Sequence, residues 1–263
     1  MERSDLALLS SSFGKAASAY AQHRPDYPRR ALEWILQAAP GARVLDLGAG
    51  TGKLSACLVD FGAEVTAVEP DAAMLAELRR ELPGVRALPG SAEAIPLPDG
   101  SVDAVLAGNA MHWFDMNVAG GDIARVLGRD GVLAGLWNVL DDRVDWVAGL
   151  ARVSGPAAIG PRDTVSTWQE TAGQALPAGD RQGGFGPATA MEFAHGQRRT
   201  ADSLLATLAT KAGVIVMPDR ERETLLARVR NYLRTRPETS AGEFTLPMLT
   251  GVLLVRRQTP PAP

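Results

Sequence analysis

The sequence predicts a doubly wound α/β sandwich, a parallel sheet with helices on both faces. Three observations lead there. Between residues 31 and 137, short apolar runs alternate with segments whose apolar residues recur at helical spacing. The run "VLDL" at 44–47 breaks into three glycines within five residues, as a strand does where it turns sharply into a helix. Strands that alternate with helices need right-handed crossovers, which place helices on both faces of the sheet.

The elements follow in order. Leu32, Ile35 and Leu36 mark one face of a helix over Ala31–Ala38, stopped by Pro40-Gly41. Val44–Leu47 is the first strand, and Leu54, Cys57, Leu58 and Phe61 then recur at helical spacing until Gly62 closes the helix. Glu64–Glu69 is the second strand. Asp71 caps a helix bearing Met74, Leu75, Leu78 and Leu82, and Val85–Leu88 is a short third strand. After a polar loop, Val102–Ala107 is the fourth strand. Ile123, Val126 and Leu127 line a helix ended by Gly128, and Gly131–Trp137 is the fifth strand. Beyond Asn138 the alternation weakens, and Ser154–Pro187, rich in glycine and proline, reads as an irregular insertion or lid. Order returns with a strand over Thr189–His195, helices over Ala201–Ala212 and Arg220–Leu233, and a last strand over Leu249–Val255.

Composition narrows the function classes. The 263 residues are 46% hydrophobic and 22% charged with a formal charge of -3, the profile of a soluble globular protein and not of a polyelectrolyte binder. Nucleic acid is not an expected partner, because the arginines are scattered and form no basic block. The single Cys57 rules out an internal disulfide and a cysteine-rich zinc site, and His and Cys never occur at ligand spacing, so no metal is expected. Met1–Ser12 holds only the short apolar run Leu6–Leu9, too little for a signal peptide or a membrane span. A cytoplasmic protein with no membrane partner is the expectation.

The glycine turn admits three readings. A phosphate P-loop needs G-x-x-x-x-G-K-[ST]; Leu47 stands at its first glycine and Leu54 at its metal-binding hydroxyl, so that reading fails twice. A dinucleotide fingerprint G-x-G-x-x-G meets Lys53 at its third glycine, which leaves a nicotinamide-dependent oxidoreductase as an alternative that fails once. The third pattern, D-x-G-x-G-x-G with an acid ending the second strand, is matched by Asp46, Gly48, Gly50, Gly52 and Glu69.

On these residues the chain resembles the class I S-adenosylmethionine-dependent methyltransferases. The resemblance implies a Rossmann-like sheet of seven strands, mostly parallel with the last antiparallel, and S-adenosyl-L-methionine as cofactor. It implies that Gly48, Ala49 and Gly50 pack on the methionyl and ribose part, near Asp46, and that Glu69, followed by Pro70 and Met74, accepts from the ribose hydroxyls. A carboxylate offers two oxygens to such a diol. "GSAEAIPLPDGSVDAV" at 90–105 is similar to the family's adenine-edge segment, bringing in Ser91, Ala92 and Glu93. "NAMHWFD" at 109–115 is similar to a small-molecule subgroup that includes trans-aconitate-type enzymes, and adds Asn109 to the cofactor residues. "FGKAASAYAQHRPDYP" at 13–28 resembles the N-terminal segment of that subgroup. It makes Tyr20, Arg24 and Tyr27 candidates for the methionyl carboxylate or for shielding the sulfonium, or else ordinary residues of an amphipathic helix. A guanidinium suits a carboxylate through its planar fork of donors.

The expected organisation is one methyltransferase domain over 1–263. Within it lie an N-terminal helical cap (1–40), a cofactor-binding core (41–140), an insertion forming a substrate cap (141–215), and a C-terminal helix with the last strand (216–258). The expected function is methyl transfer to a small-molecule acceptor, an organic acid or secondary metabolite, by a monomer or homodimer. The alternative within the same fold is a cofactor-binding enzyme that catalyses a cyclisation or rearrangement.

Among the three histidines, His112 is the candidate base, beside Trp113 and Phe114 on the rim where acceptor meets cofactor; equally, it orders the loop or touches cofactor. Tyr27, His112 and Trp113 are the substrate-side candidates. His23 is assigned to the N-terminal helix and His195 to a strand end, while Trp137, Trp146 and Trp168 read as core.

Overall fold

The computed structural model describes residues 25–173 and 184–258; Tyr20, His23 and Arg24 lie outside the described residues. The first element is α1 (Arg29–Ala38), then β1 (Arg43–Leu47), α2 (Lys53–Asp60), β2 (Glu64–Glu69), α3 (Ala72–Glu81), β3 (Arg86–Pro89) and β4 (Val102–Gly108). A 3-10 turn at Met111–Trp113 leads to α4 (Met116–Val126) and β5 (Leu127–Leu140). Then come α5 (Asp145–Ser154), α6 (Trp168–Gly173), β6 (Thr189–Arg199), α7 (Ala201–Ala209), α8 (Ala212–Ile215), α9 (Asp219–Arg234) and β7 (Phe244–Arg256).

The seven strands lie in the order β3-β2-β1-β4-β5-β7-β6. Parallel registers join Leu45 to Thr66 and to Val105, Val68 to Leu88, and Val105 to Leu133; the last strand is antiparallel. From β1 the chain winds outward through β2 and β3, then returns to place β4 on the other side of β1. The order therefore reverses between β1 and β4, where the carboxyl ends of parallel strands leave a crevice for ligands.

Four boundaries differ from the expectation. Leu127, expected to end a helix, is already extended (φ -67, ψ 135) and pairs with Val102 at the start of β5. Helix thus passes into strand without a loop, Gly128 lies within the strand, and the irregular register near Asp130 (φ 60) absorbs the change. Helix α5 was not expected beyond Asn138, because Gly149 interrupts its apolar pattern. A Cβ at Gly149 would fall on the Tyr232 hydroxyl, which donates to the Trp146 carbonyl at 2.8 Å, so the glycine is a packing site. His195 lies inside β6 and not at its end, and burial pushes its imidazole pKa down. The helix expected over Ala201–Ala212 stops at Ala209, and β7 begins five residues before the expected Leu249.

The chain divides into two compact units, with the division running within β5, β6 and β7. One unit holds, of the described residues, 26–137, 172–173, 184–193 and 250–258. Its core includes Leu32, Ile35, Val44, Leu58, Ala104 and Val252, all fully buried from solvent. Arg43 and Asp103 form a two-pronged ion pair (2.7 and 3.1 Å) at the opposite end of β1 and β4. The other unit holds, of the described residues, Pro25, 138–171 and 194–249. Apolar faces of α5, α7 and α9 meet there through Leu150, Leu204, Leu208, Val229 and Leu233, and Trp146 stands edge-on to Phe244 at 5.8 Å. Trp168, met in the sequence among polar neighbours, is fully buried in this unit. No helix among the described residues is long and apolar enough to cross a membrane.

Candidate active site

The carboxyl ends of β1, β2 and β4 bring most of the expected site residues together within one unit. Gly48, Gly50 and Gly52 take φ values of 69, 56 and 88, left-handed conformations that cost an L side chain roughly 1–2 kcal/mol each. The turn also needs their small size. A Cβ on Gly48 would stand 2.8 Å from the Ala110 methyl, so the glycine turn closes directly against the segment that follows β4.

Glu69, at the end of β2, is 6% exposed. Its Oε2 accepts from the Gly50 amide at 2.8 Å and its Oε1 from the Asp71 amide at 2.9 Å. Burial raises its pKa, while these two amides oppose the rise by stabilising the charge. A carboxylate has about four acceptor positions, so two stay open for further donors. Asp71 in turn caps α3 through the amides of Ala73 and Met74, which seats the Met74 side chain in the core beside Gly50. Ala49 is buried in the same turn, and Pro70 is exposed directly after the acid.

Asp46 sits deeper, on β1. Its Oδ2 accepts from Ser55 Oγ at 2.6 Å, and Oδ1 is buried with no hydrogen-bond partner. Burial pushes its carboxyl up to about 7, against the Ser55 hydrogen bond and with a further upward push from Glu69. Thr51 Oγ1 is likewise buried and unpartnered. Buried polar atoms of this kind are rare in folded proteins and call for an explanation such as a ligand or an ordered water.

On the adenine side of the expected site, Ser91 and Ala94 form an antiparallel bridge and Ala92 is buried. Glu93 Oε1 accepts the Asp115 amide at 2.9 Å, which fixes the start of α4. The whole loop hangs on Arg125, which donates to the Ile95 and Leu97 carbonyls and to Asp99 and Asp122 at 2.6–3.0 Å. After β4, Asn109 is left-handed (φ 52) and its amide side chain donates to the Tyr27 hydroxyl at 3.2 Å. Tyr27 is 8% exposed, with its ring in the core. His112 and Trp113 follow in the 3-10 turn, rings 4.9 Å apart, with His112 Nδ1 buried.

Sequence reasoning missed Thr51, Ser55 and Arg125. A hydroxyl in the first turn of the helix after the glycines was the available signal for Ser55. Nothing distinguishes Arg125 from the other scattered arginines before the loop folds onto it. No cluster of His, Cys, Asp and Glu among the described residues could hold a metal ion.

A family profile described as a methyltransferase domain matches residues 45–135. The chain is 40% identical over 243 residues to an uncharacterized methyltransferase of Mycobacterium tuberculosis, spanning 92% of this chain and 94% of the relative. It is 30% identical over 234 residues to an uncharacterized methyltransferase of Schizosaccharomyces pombe, spanning 88% and 90%. A solved structure from Anaeromyxobacter dehalogenans, assigned to the type II methyltransferases, superposes with a TM-score of 0.60 at 27% identity, covering 89% of this chain and 97% of that one.

Proposed function

This chain belongs to the methyltransferase family of those relatives, and from that premise we propose that it methylates a small molecule, an organic acid or secondary metabolite. Its cofactor is S-adenosyl-L-methionine. The observation that carries the reading is Glu69, a buried carboxylate held by two backbone amides with acceptor capacity to spare, opposite a turn of left-handed glycines. The unpartnered Asp46 Oδ1 and Thr51 Oγ1 fit the same cofactor.

When bound, the cofactor supplies a methyl group on a sulfonium, which leaves as a neutral thioether and needs no proton. The chain's work is then to position. Glu69 accepts from the ribose hydroxyls, Asp46 and the 48–50 turn hold the methionyl side beside Pro70 and Met74, and Ser91 and Ala92 take the adenine edge. Asn109 borders the reacting centre, with His112 and Trp113 next along the chain. Lining up nucleophile and methyl group, and keeping water out with aromatic side chains, supplies most of the acceleration. His112 serves as base if the acceptor is a hydroxyl; a carboxylate needs none.

Two features support a small acceptor, and a third points to a carboxylate. The formal charge is -3 with no basic run, unlike a nucleic-acid enzyme. The "HWFD" segment resembles that of a small-molecule subgroup that includes trans-aconitate-type enzymes. A further relative, from Enterobacter lignolyticus and named malonyl-[acyl-carrier protein] O-methyltransferase, is 37% identical over 134 residues, about half of each chain (49% and 53%). Calorimetry with S-adenosylmethionine tests the site, and release of S-adenosylhomocysteine across a panel of organic acids, amines and phenols tests the acceptor. Binding without turnover on any acid, amine or phenol of the panel would sink the acceptor class and revive a rearrangement.

A further inference from the structure

Tyr27 and Asp26 do something the cofactor site does not explain. Tyr27 is buried with Ala31, Leu32 and Leu54, so its ring is part of the core, yet its hydroxyl reaches the end of β4 and accepts from Asn109 Nδ2 at 3.2 Å. Room for that hydroxyl exists because residue 108 is glycine; a Cβ there would fall on Tyr27 Oη. Asn109 is one of two non-glycine residues described with positive φ, and it is pinned on its other side by its own amide, which donates to the Leu136 carbonyl at 2.7 Å. Neighbouring Asp26 pairs with Lys53 Nζ at 3.1 Å, at the first residue of α2, directly after the glycine turn. Two adjacent residues therefore grip both strand-to-helix turns that border the switch point, β1 to α2 and β4 to α4.

The two gripped turns touch. The Ala110 methyl and the Phe114 ring stand where a Gly48 side chain would be, at 2.8 and 3.4 Å from its ideal Cβ. A shift of the segment that begins at Asn109 is therefore a shift of one wall of the glycine turn. Left-handed asparagine is tolerated but not preferred, so its conformation needs neighbours that over-determine it.

We propose that Tyr27 is a positioning residue: its hydroxyl holds Asn109 in the left-handed conformation and so sets the 109–115 segment against the cofactor turn, without itself touching cofactor or acceptor. The link to catalysis rests on the cofactor reading above; the link to the 109–115 segment does not.

The test uses the full-length protein with Tyr27→Phe, which keeps the buried ring, Asn109→Ala, and the double variant. Without any ligand, amide exchange in Tyr27→Phe should quicken about 3- to 10-fold over 109–115, the worth of one lost hydrogen bond, while exchange over α1 changes less and the melting temperature falls by no more than about 2–4 °C. Titrated with S-adenosylhomocysteine, Tyr27→Phe should bind about 3- to 10-fold more weakly, Asn109→Ala at least as weakly, and the double variant no worse than Asn109→Ala, since Tyr27 acts only through Asn109. Exchange over 109–115 unchanged in Tyr27→Phe overturns the proposal whatever the ligand does, and so do losses that add in the double variant. If wild type fails to bind S-adenosylhomocysteine, the cofactor reading falls while the exchange measurement still decides the role of Tyr27.

Discussion

The two units bury different things. In the unit built on 26–137, carboxylates go inside: Asp46 and Glu69 are 1% and 6% exposed, supported by Ser55 and by backbone amides. In the unit built on 138–171 and 194–249, helices α5, α7 and α9 pack Leu, Val and Trp, and charged groups pair at its surface, as Arg198 does with Glu243 and Arg230 with Asp202, with Arg199 as a buried exception. A buried charge costs several kcal/mol unless it is paired or hydrogen-bonded, whereas an apolar helix face is stabilised by burial alone. The first unit thus gives up stability for a site, and the second supplies packing. Substitutions in the two should fail differently.

The largest effect is expected in the packing unit. Trp168→Ala removes a fully buried indole and should cost about 3–5 kcal/mol, measured by urea unfolding. A loss below about 1 kcal/mol would show that the unit does not rest on its core as argued. The next is a pH effect confined to the site unit. Folding raises Asp46 to about 7 from the usual carboxylate range, so between pH ~4 and ~7 the folded protein binds more protons than the unfolded chain. Stability should therefore fall as pH rises through that window, by at most about 1.4 kcal/mol per pH unit from this group, and level off above it. Asp46→Asn should flatten the slope; an unchanged slope removes Asp46 as its source.

Glu69→Ala should weaken S-adenosylhomocysteine binding by about 1–3 kcal/mol, because it removes a charged acceptor and leaves the Gly50 and Asp71 amides without their partner. Equal affinity would take Glu69 out of the site. Gly52→Ala sharpens the same point for the backbone. At φ 88 and with a Cβ 3.0 Å from Leu78 and Leu82, it should cost about 1–2 kcal/mol of stability in thermal unfolding. The smallest effect returns to the packing unit: Arg198→Ala breaks an ion pair whose side chains are 81% and 51% exposed, and should change stability by less than about 1 kcal/mol. A larger change would mean that its surface charges are not the minor contributors described here.

The site unit was also the more legible one. Glu64–Glu69 was placed to the residue, and β1, β3 and β4 to within one, because each is an apolar run closed by a glycine, proline or acidic residue. The packing unit was read less well: α5 hid behind Gly149, and Trp168 sat among polar neighbours although it is fully buried. Within the site, Glu69 and the glycines were found from spacing. Ser55, Thr51 and the Arg125 anchor were not, since a hydroxyl or an arginine has no periodicity that distinguishes a partner from a surface residue. Glu93 matched the adenine segment by position, yet its carboxylate is engaged by the Asp115 amide.

By itself the sequence determined the alternation of strands and helices, the left-handed turn and the acid that ends β2, because each is a local requirement: hydrophobic periodicity, a φ that favours glycine, a carboxylate at a strand end. The tertiary structure alone decided that Gly48 faces Ala110, that Tyr27 reaches Asn109 across 82 residues, and that burial raises the Asp46 carboxyl to about 7. Those facts depend on which distant groups the closed sheet brings within a few ångströms, and no spacing along the chain encodes that distance.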